Sequence, residues 1–240
     1  MTPAGEGAGE RGRGGNATGP DGIPRPQWMA QVFSNLADEE PEAFARFAPP
    51  GEVGRRSAVL MLFGPTEDGG TDVVLTARSR ELRSHPGQVS FPGGRVDPTD
   101  AGVVDAALRE AEEEVGVEPD SVDVVGELPE LFLMPSDNSV TPVLGWWPVP
   151  GEVRVVDPGE VERVERVRLD ELLDPANRFT VAHPSGYRGP GFEAGGLFVW
   201  GFTALLLNGA FELAELNVPW DESVERPIPE HVLADWARNR

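Results

Sequence analysis

The stretch Phe91-Pro92-Gly93-Gly94-Arg95-Val96-Asp97-Pro98-Thr99-Asp100, running on to Leu108-Arg109-Glu110-Ala111-Glu112-Glu113-Glu114-Val115-Gly116-Val117, decides how this chain is read. Between positions 97 and 120 it carries nine acidic side chains and a single arginine. At about 100° per residue, a helix over Val103 to Val115 puts Glu110, Glu113 and Glu114 on one face, at spacings of i, i+3 and i+4. Leu108, Ala111 and Val115 fall on a different face, suited to packing on a sheet. Arg109 flanks the acidic face, where it can pair with a carboxylate, and Gly116 is placed to end the helix. Three carboxylates on one face repel one another near neutral pH, and a solvated acidic surface is one reading of such a run. The other is a site for a hard divalent cation, Mg²⁺ or Mn²⁺, which takes oxygen ligands and removes the repulsion. Spacing alone leaves both open.

The rest of the composition narrows the chemistry. The chain has 240 residues, 41 acidic and 20 basic, for a formal charge of −21. Every basic residue is arginine; there is neither lysine nor cysteine. That excludes a Walker A loop, Schiff-base catalysis and thiol catalysis. It also excludes disulfides and cysteine-ligated zinc or iron–sulfur centres. The three histidines, His85, His183 and His231, are far apart in sequence, which argues against a histidine-rich metal site. So acidic a chain is not expected to bind nucleic acid through a general electrostatic footprint. An anionic substrate would need metal cations or a local arginine cluster. The longest apolar run, Leu197 to Leu207, is interrupted by Gly201 and Thr203 and is too short to span a bilayer. No N-terminal stretch resembles a signal peptide. The expectation is a soluble, cytoplasmic protein without a membrane partner; oligomeric state is not legible.

Working outward, residues 1–25 hold eight glycines and three prolines, and Ile23 is the only large apolar side chain after Met1. Such a segment cannot bury enough surface to offset its ordering entropy, so a disordered tail is expected. Trp28 to Phe47 reads as a helix with Trp28, Val32, Phe33 and Leu36 on one face. Strands are expected at 58–63 and 73–77, and shorter ones at 89–91, 122–125, 131–133 and 139–147. Further helices are expected over about 203–216 and from Pro229. Strands mixed with few helices, without regular βαβ alternation, point to an α+β fold.

The second half of the acidic stretch, Arg109 through Val117, resembles the Nudix box, Arg-Glu-apolar-x-Glu-Glu-x-Gly-apolar. The first half departs from it: after five intervening residues Gly94 is followed by Asp100 rather than Glu, and eight residues rather than seven separate Asp100 from Arg109. Upstream, Leu75-Thr76-x-Arg78-Ser79-x-x-x-Arg83-x-x-x-Gly87-x-x-x-Phe91-Pro92-Gly93-Gly94 is similar to the extra motif of the coenzyme A pyrophosphatase branch, which tolerates the longer spacing. Val199-Trp200-Gly201-x-Thr203-Ala204 looks like that branch's closing helix. The resemblance implies an α/β/α sandwich with a mixed sheet between helices, over residues 26–225, with a helical extension at 226–240. It implies hydrolysis of the diphosphate of coenzyme A or an acyl-CoA to 3′,5′-ADP and 4′-phosphopantetheine or its acyl derivative. NADH or ADP-ribose is the alternative substrate, and a catalytically weak nucleotide-binding module the alternative class.

The same resemblance assigns roles. Glu110, Glu113 and Glu114 hold Mg²⁺ or Mn²⁺, with the Gly94 carbonyl as a further ligand; Glu110 is alternatively the group that orients or deprotonates the attacking water. Arg109 holds the glutamates through an ion pair. Arg78, Arg80, Arg83, His85 and Arg95 form a basic cluster directly before the box. Of these, Arg78 and Arg83 are read as phosphate contacts, since arginine binds phosphate bidentately, with Arg95 beside them. Charge balance for the acidic helix is the other reading. Glu160 is a candidate outer carboxylate for a metal or water. The segment 184–192, with Tyr187, Arg188, Pro190 and Phe192, walls a pantetheine arm or is an ordinary surface loop. Trp146 and Trp147 are expected in the core.

Overall fold

A computed structural model describes residues 22–51, 54–82, 85–133, 137–182, 186–230, 232 and 233. In chain order these form α1 (Gln27–Asp38), α2 (Glu42–Ala45), β1 (Arg55–Pro65), β2 (Thr71–Arg78), β3 (Val89–Ser90), β4 (Gly93–Arg95) and α3 (Val103–Val115). There follow β5 (Asp123–Glu127), β6 (Leu131–Leu133), β7 (Asn138–Trp146), β8 (Val161–Arg168) and α4 (Leu169–Leu173). The last are β9 (Arg178–Ala182), β10 (Arg188–Ala194), β11 (Leu197–Val199), α5 (Gly201–Leu213) and β12 (Glu225–Pro227).

β1 is the strand on which the rest is hung. It pairs parallel with β7, from Arg55 opposite Asn138 to Phe63 opposite Trp146, and antiparallel with β2 and β4. With β3 and β8 on β2, and β5 and β6 on β7, this makes an eight-stranded mixed sheet. Side chains alternate across a strand. On one face Ala58, Leu60 and Leu62 meet Ala106, Ala107, Ala111 and Val115 of α3. On the other Met61 and Phe63 join Val73, Leu75 and Leu144 in a larger core with Met29, Val32, Phe44, Phe192 and Phe211. Each such aliphatic or aromatic side chain contributes roughly 1.5–3 kcal/mol on burial. A sheet buried on both faces explains why β1 reads as a continuous apolar run.

The mixed sheet lies between helices as expected, and the layer opposite α3 carries more than helices. It contains α1 and α5, but also a second sheet in the order β11-β10-β9-β12. The segment read as a loop at 184–192 is in fact largely β10, and Phe192 is fully buried, its ring edge-on to Phe211. Arg188-Gly189-Pro190-Gly191 hides the strand, because glycine and proline are punctuation in most sequences. Gly191 is required by packing: a Cβ there would lie 2.6 Å from both Phe179 and Val181. The single helix expected over 28–47 is two: Glu39 closes α1 in an extended conformation, and Glu40, the residue preceding Pro41, is disfavoured in the α region by that proline.

At the N-terminal side, Ile23 donates its N–H to the Pro148 carbonyl (3.1 Å) and accepts from Trp146 Nε1 (2.9 Å). Arg25 pairs with Asp123 at 3.6 Å. Residues 22–25, assigned by composition to the tail, therefore lie on the domain; residues 1–21 fall outside the described residues. At the other end β12 pairs parallel with β9, which ties residues 225–227 into the second sheet. Of the helix expected from Pro229, residues 230, 232 and 233 are helical and the remainder lies outside the described residues.

Gly209 in α5 offers a test of this packing. Helix propensity alone favours Gly209→Ala by about 1 kcal/mol. A Cβ at that position, however, would sit 2.4 Å from the fully buried ring of Phe44. Overpacking of this kind costs about 1–3 kcal/mol, so the steric effect wins. We expect Gly209→Ala to melt several degrees below the wild type by differential scanning calorimetry; a higher melting temperature would mean that α2 does not pack on α5 as described.

Candidate functional site

α3 carries the acidic stretch across one face of the large sheet. Its start is braced by Asp105, which accepts from the Ala101 N–H at 2.9 Å. Its end is closed by Gly116 in the left-handed region, with the Val117 N–H returning to the Ala111 carbonyl. The two glycines before it serve different needs. Gly93 has φ +155°, and a Cβ there would meet the Ala58 carbonyl oxygen at 2.3 Å. Its N–H donates to Glu114 Oε2 at 3.0 Å. Gly94 makes room for a side chain: a Cβ would lie 2.4 Å from the Glu110 carboxylate. The Gly-Gly pair thus lets β4 pass close to both glutamates.

Glu110, Glu114 and Glu160 each present a carboxylate oxygen within 4.8 Å of the others. Glu114 is 3% exposed. Burial pushes its carboxyl up from the ordinary 4.5 to about 7, against the opposing pull of the Gly93 N–H and the Arg78 charge. Burial raises Glu110 as well, partly offset by Arg109. Glu160 reaches the cluster because residues 154–160 run along the end of α3. Arg154 and Val156 donate their N–H groups to the Val115 and Glu114 carbonyls, and the Glu160 carbonyl accepts from Ser79. Three converging carboxylates, two of them desolvated and facing like charge, match the hard-oxygen donor set of a divalent cation. The residues present fit Mg²⁺ or Mn²⁺.

Glu113, placed with Glu110 and Glu114 by helical spacing, does not join this cluster. Its carboxylate is 60% exposed and accepts from Arg109 Nη1 at 3.0 Å. Arg109 also donates to Glu110 Oε1 (3.1 Å), to the Arg95 carbonyl (3.0 Å) and, through Nε and Nη2, to both oxygens of Asp100 (2.9 and 3.0 Å). Asp100, where the sequence departs from the box, is therefore the bidentate partner that anchors the arginine. Its side chain is 3% exposed, and Arg109 holds its carboxyl below the usual range.

Of the described basic residues before the box, Arg78 is the one that bears electrostatically on Glu114. It ends β2 at a register shift opposite β8, and its Nε is buried with no hydrogen-bond partner among the described residues. Arg95 follows Gly94 with its side chain exposed, and Arg80 pairs with Glu162 at 3.2 Å. His85 has φ +55° and shares a hydrogen bond with Gln88. Arg83 lies outside the described residues. Trp146 and Trp147 are both in the core. Sequence spacing missed that 154–160 packs on α3, a contact for which no local pattern exists.

The NUDIX domain profile matches residues 54–185, and the chain belongs to that family. A Nudix hydrolase NudL of Enterobacter sp. (strain 638), itself uncharacterised, is 39% identical over 157 residues, covering 62% of this chain and 78% of that one. Nudix hydrolase 3 of Caenorhabditis elegans is 36% identical over 148 residues, 61% of each chain. Among solved structures, the Nudix hydrolase RenU from M. smegmatis shares the fold, with a TM-score of 0.50 at 18% identity over 70% of this chain and 90% of that one. No helix among the described residues is long and apolar enough to cross a membrane.

The buried carboxyl makes a signed prediction. A group whose folded-state pKa is raised contributes stability that is complete below its unfolded value and lost as pH rises through the folded one. For Glu114 that window runs from about 4.5 to about 7, and the loss is on the order of 3 kcal/mol. In chelator-treated protein, Glu114→Gln should melt with the wild type near pH 4.5 and above it beyond pH 7. Millimolar Mg²⁺ should raise only the wild type, by mass action on the native state. Scanning fluorimetry across this range checks both; parallel curves with and without Mg²⁺ would contradict the site.

Proposed function

We propose that this chain is a metal-dependent diphosphatase acting on coenzyme A or an acyl-CoA. The Glu110–Glu114–Glu160 convergence carries the diphosphatase part of this reading. Bound Mg²⁺ or Mn²⁺ would polarise phosphoryl oxygens and lower the pKa of a coordinated water. Glu110, Glu114 and Glu160 would hold the ions, with the Gly94 carbonyl alongside and Glu113 at the rim. Arg109, clamped by Asp100, keeps Glu110 in place. Water oxygen bonds to phosphorus, the bridging P–O bond breaks with its electron pair leaving on the departing phosphate oxygen, and the water proton passes to Glu110 where that carboxylate acts as the base instead of as an ion ligand; burial makes it a better acceptor than an exposed glutamate.

Substrate choice rests on the motif from Leu75 to Gly94 and on its arginines. Arg78, whose charge bears on Glu114, is the candidate contact for a substrate phosphate. Arg83 is the partner for the 3′-phosphate of coenzyme A, with Arg95 at the exposed edge. The kinship with NudL and Nudix hydrolase 3 supports hydrolysis and leaves the substrate to the arginines. NADH or ADP-ribose is the competing substrate, and the intact carboxylate cluster argues against a merely binding module.

The test is a substrate panel with Mg²⁺ or Mn²⁺: coenzyme A, acetyl-CoA, dephospho-CoA, NADH and ADP-ribose, with products identified by mass spectrometry. The expected products are 3′,5′-ADP and 4′-phosphopantetheine, with kcat/KM about tenfold to a hundredfold higher for coenzyme A than for dephospho-CoA. A preference for NADH or ADP-ribose would overturn the substrate assignment and leave the diphosphatase standing.

A further inference from the structure

A second feature lies away from the carboxylates. Arg178, first residue of β9, is 3% exposed. A buried guanidinium is ordinarily matched by a carboxylate, because an unpaired charge in the interior is costly. Among the described residues Arg178 forms no ion pair. It is sandwiched by the rings of Phe192 and Trp220, 5.1 and 5.0 Å from their centroids, and its Nε has no partner. Its terminal nitrogens donate to Asn217 Oδ1 (2.9 Å) and Asn208 Oδ1 (2.6 Å). Burial lowers the guanidinium pKa to about 10, with Glu222 the only acid pulling the other way.

These bonds set the orientation of both amides. A guanidinium only donates, so each asparagine must turn its Oδ1 inward and its Nδ2 away. Neither Nδ2 has a partner among the described residues. Both asparagines line a cavity of about 890 Å³, together with Thr180, Trp220 and, at its rim, Arg188 and the acids Glu212 and Glu222; Arg178 is not part of the lining and lies behind the two amides. Asn208, half-buried, and Asn217, exposed, therefore leave up to four amide N–H donors without a partner among the described residues, backed by a positive charge that pairs with no carboxylate there. None of the lining residues bonds to Glu110, Glu114 or Glu160. The rim acids disfavour a bulky polyanion, whereas the two amides suit one compact acceptor group.

We propose that this cavity is a second ligand site, separate from the carboxylate centre, for a small molecule whose carboxylate or phosphate group docks on the Asn208 and Asn217 amides, with Arg178 behind them. The cavity is large enough for a ligand of mononucleotide size. The site needs no turnover and does not depend on the coenzyme A reading.

The test uses the full chain, chelator-treated to disable the carboxylate centre. Inorganic phosphate, succinate and AMP are titrated separately, reading melting temperature and tryptophan fluorescence. Wild type should give a saturable response to at least one, and which one distinguishes phosphate from carboxylate. Asn217→Asp places the missing carboxylate beside Arg178. It should melt at or above the wild type, showing that it folds, and weaken the response at least tenfold. Trp220→Phe should remove the fluorescence response and keep the thermal one. No saturable response below about 10 mM, an equal response in Asn217→Asp, or a response abolished instead by Glu114→Gln would each overturn the proposal.

Discussion

The Glu114 carboxyl, buried against the Gly93 N–H with two other carboxylates converging on it, is the constraint on which the rest depends. Desolvated like charges oppose folding, and they persist only if a partner offsets the cost when it arrives. The protein supplies partial compensation: the Gly93 N–H and Arg78 for Glu114, and Arg109 for Glu110. None of these neutralises the cluster, which leaves it charged enough to attract a divalent cation. On the proposed reading, stability given up here in the absence of metal would be regained when a cation binds the native state.

Holding such a cluster requires rigid support. α3 is fastened to the sheet by Ala106, Ala107, Ala111 and Val115, small side chains that let the helix approach closely. Gly94 removes the one Cβ that would collide with Glu110. Arg109 then spans from Asp100 to Glu110 and Glu113, so one guanidinium fixes the loop, the helix and a cluster member together. Planar bidentate geometry to Asp100 is something lysine cannot reproduce, consistent with a chain whose basic residues are all arginine.

Much of this was legible in the sequence. The span of α3 is the one expected from its apolar phase, and β6 matches its expected run. Glu110 and Glu114 were legible because helical spacing is local. Glu113 shared their face on paper, yet 3.6-residue geometry cannot say which edge of that face meets the sheet and which meets an arginine. Asp100 looked like a defect in the motif, because a bidentate partner nine positions from its arginine has no periodic signature. The second sheet escaped notice because Gly189, Pro190 and Gly191 disguise β10, and because β12 reaches β9 across some forty residues. Glu160 could be named as a candidate, but its arrival beside α3 is a tertiary fact.

The most direct measurement is Mn²⁺ binding, followed by the electron paramagnetic resonance of the free ion. Wild type, Glu160→Gln and Glu113→Gln are titrated under one set of conditions. If Glu110, Glu114 and Glu160 form the centre, Glu160→Gln should weaken Mn²⁺ by at least about tenfold and Glu113→Gln by clearly less. Wild-type affinity in Glu160→Gln, with binding lost in Glu113→Gln, would contradict the account and return the centre to the helix face alone.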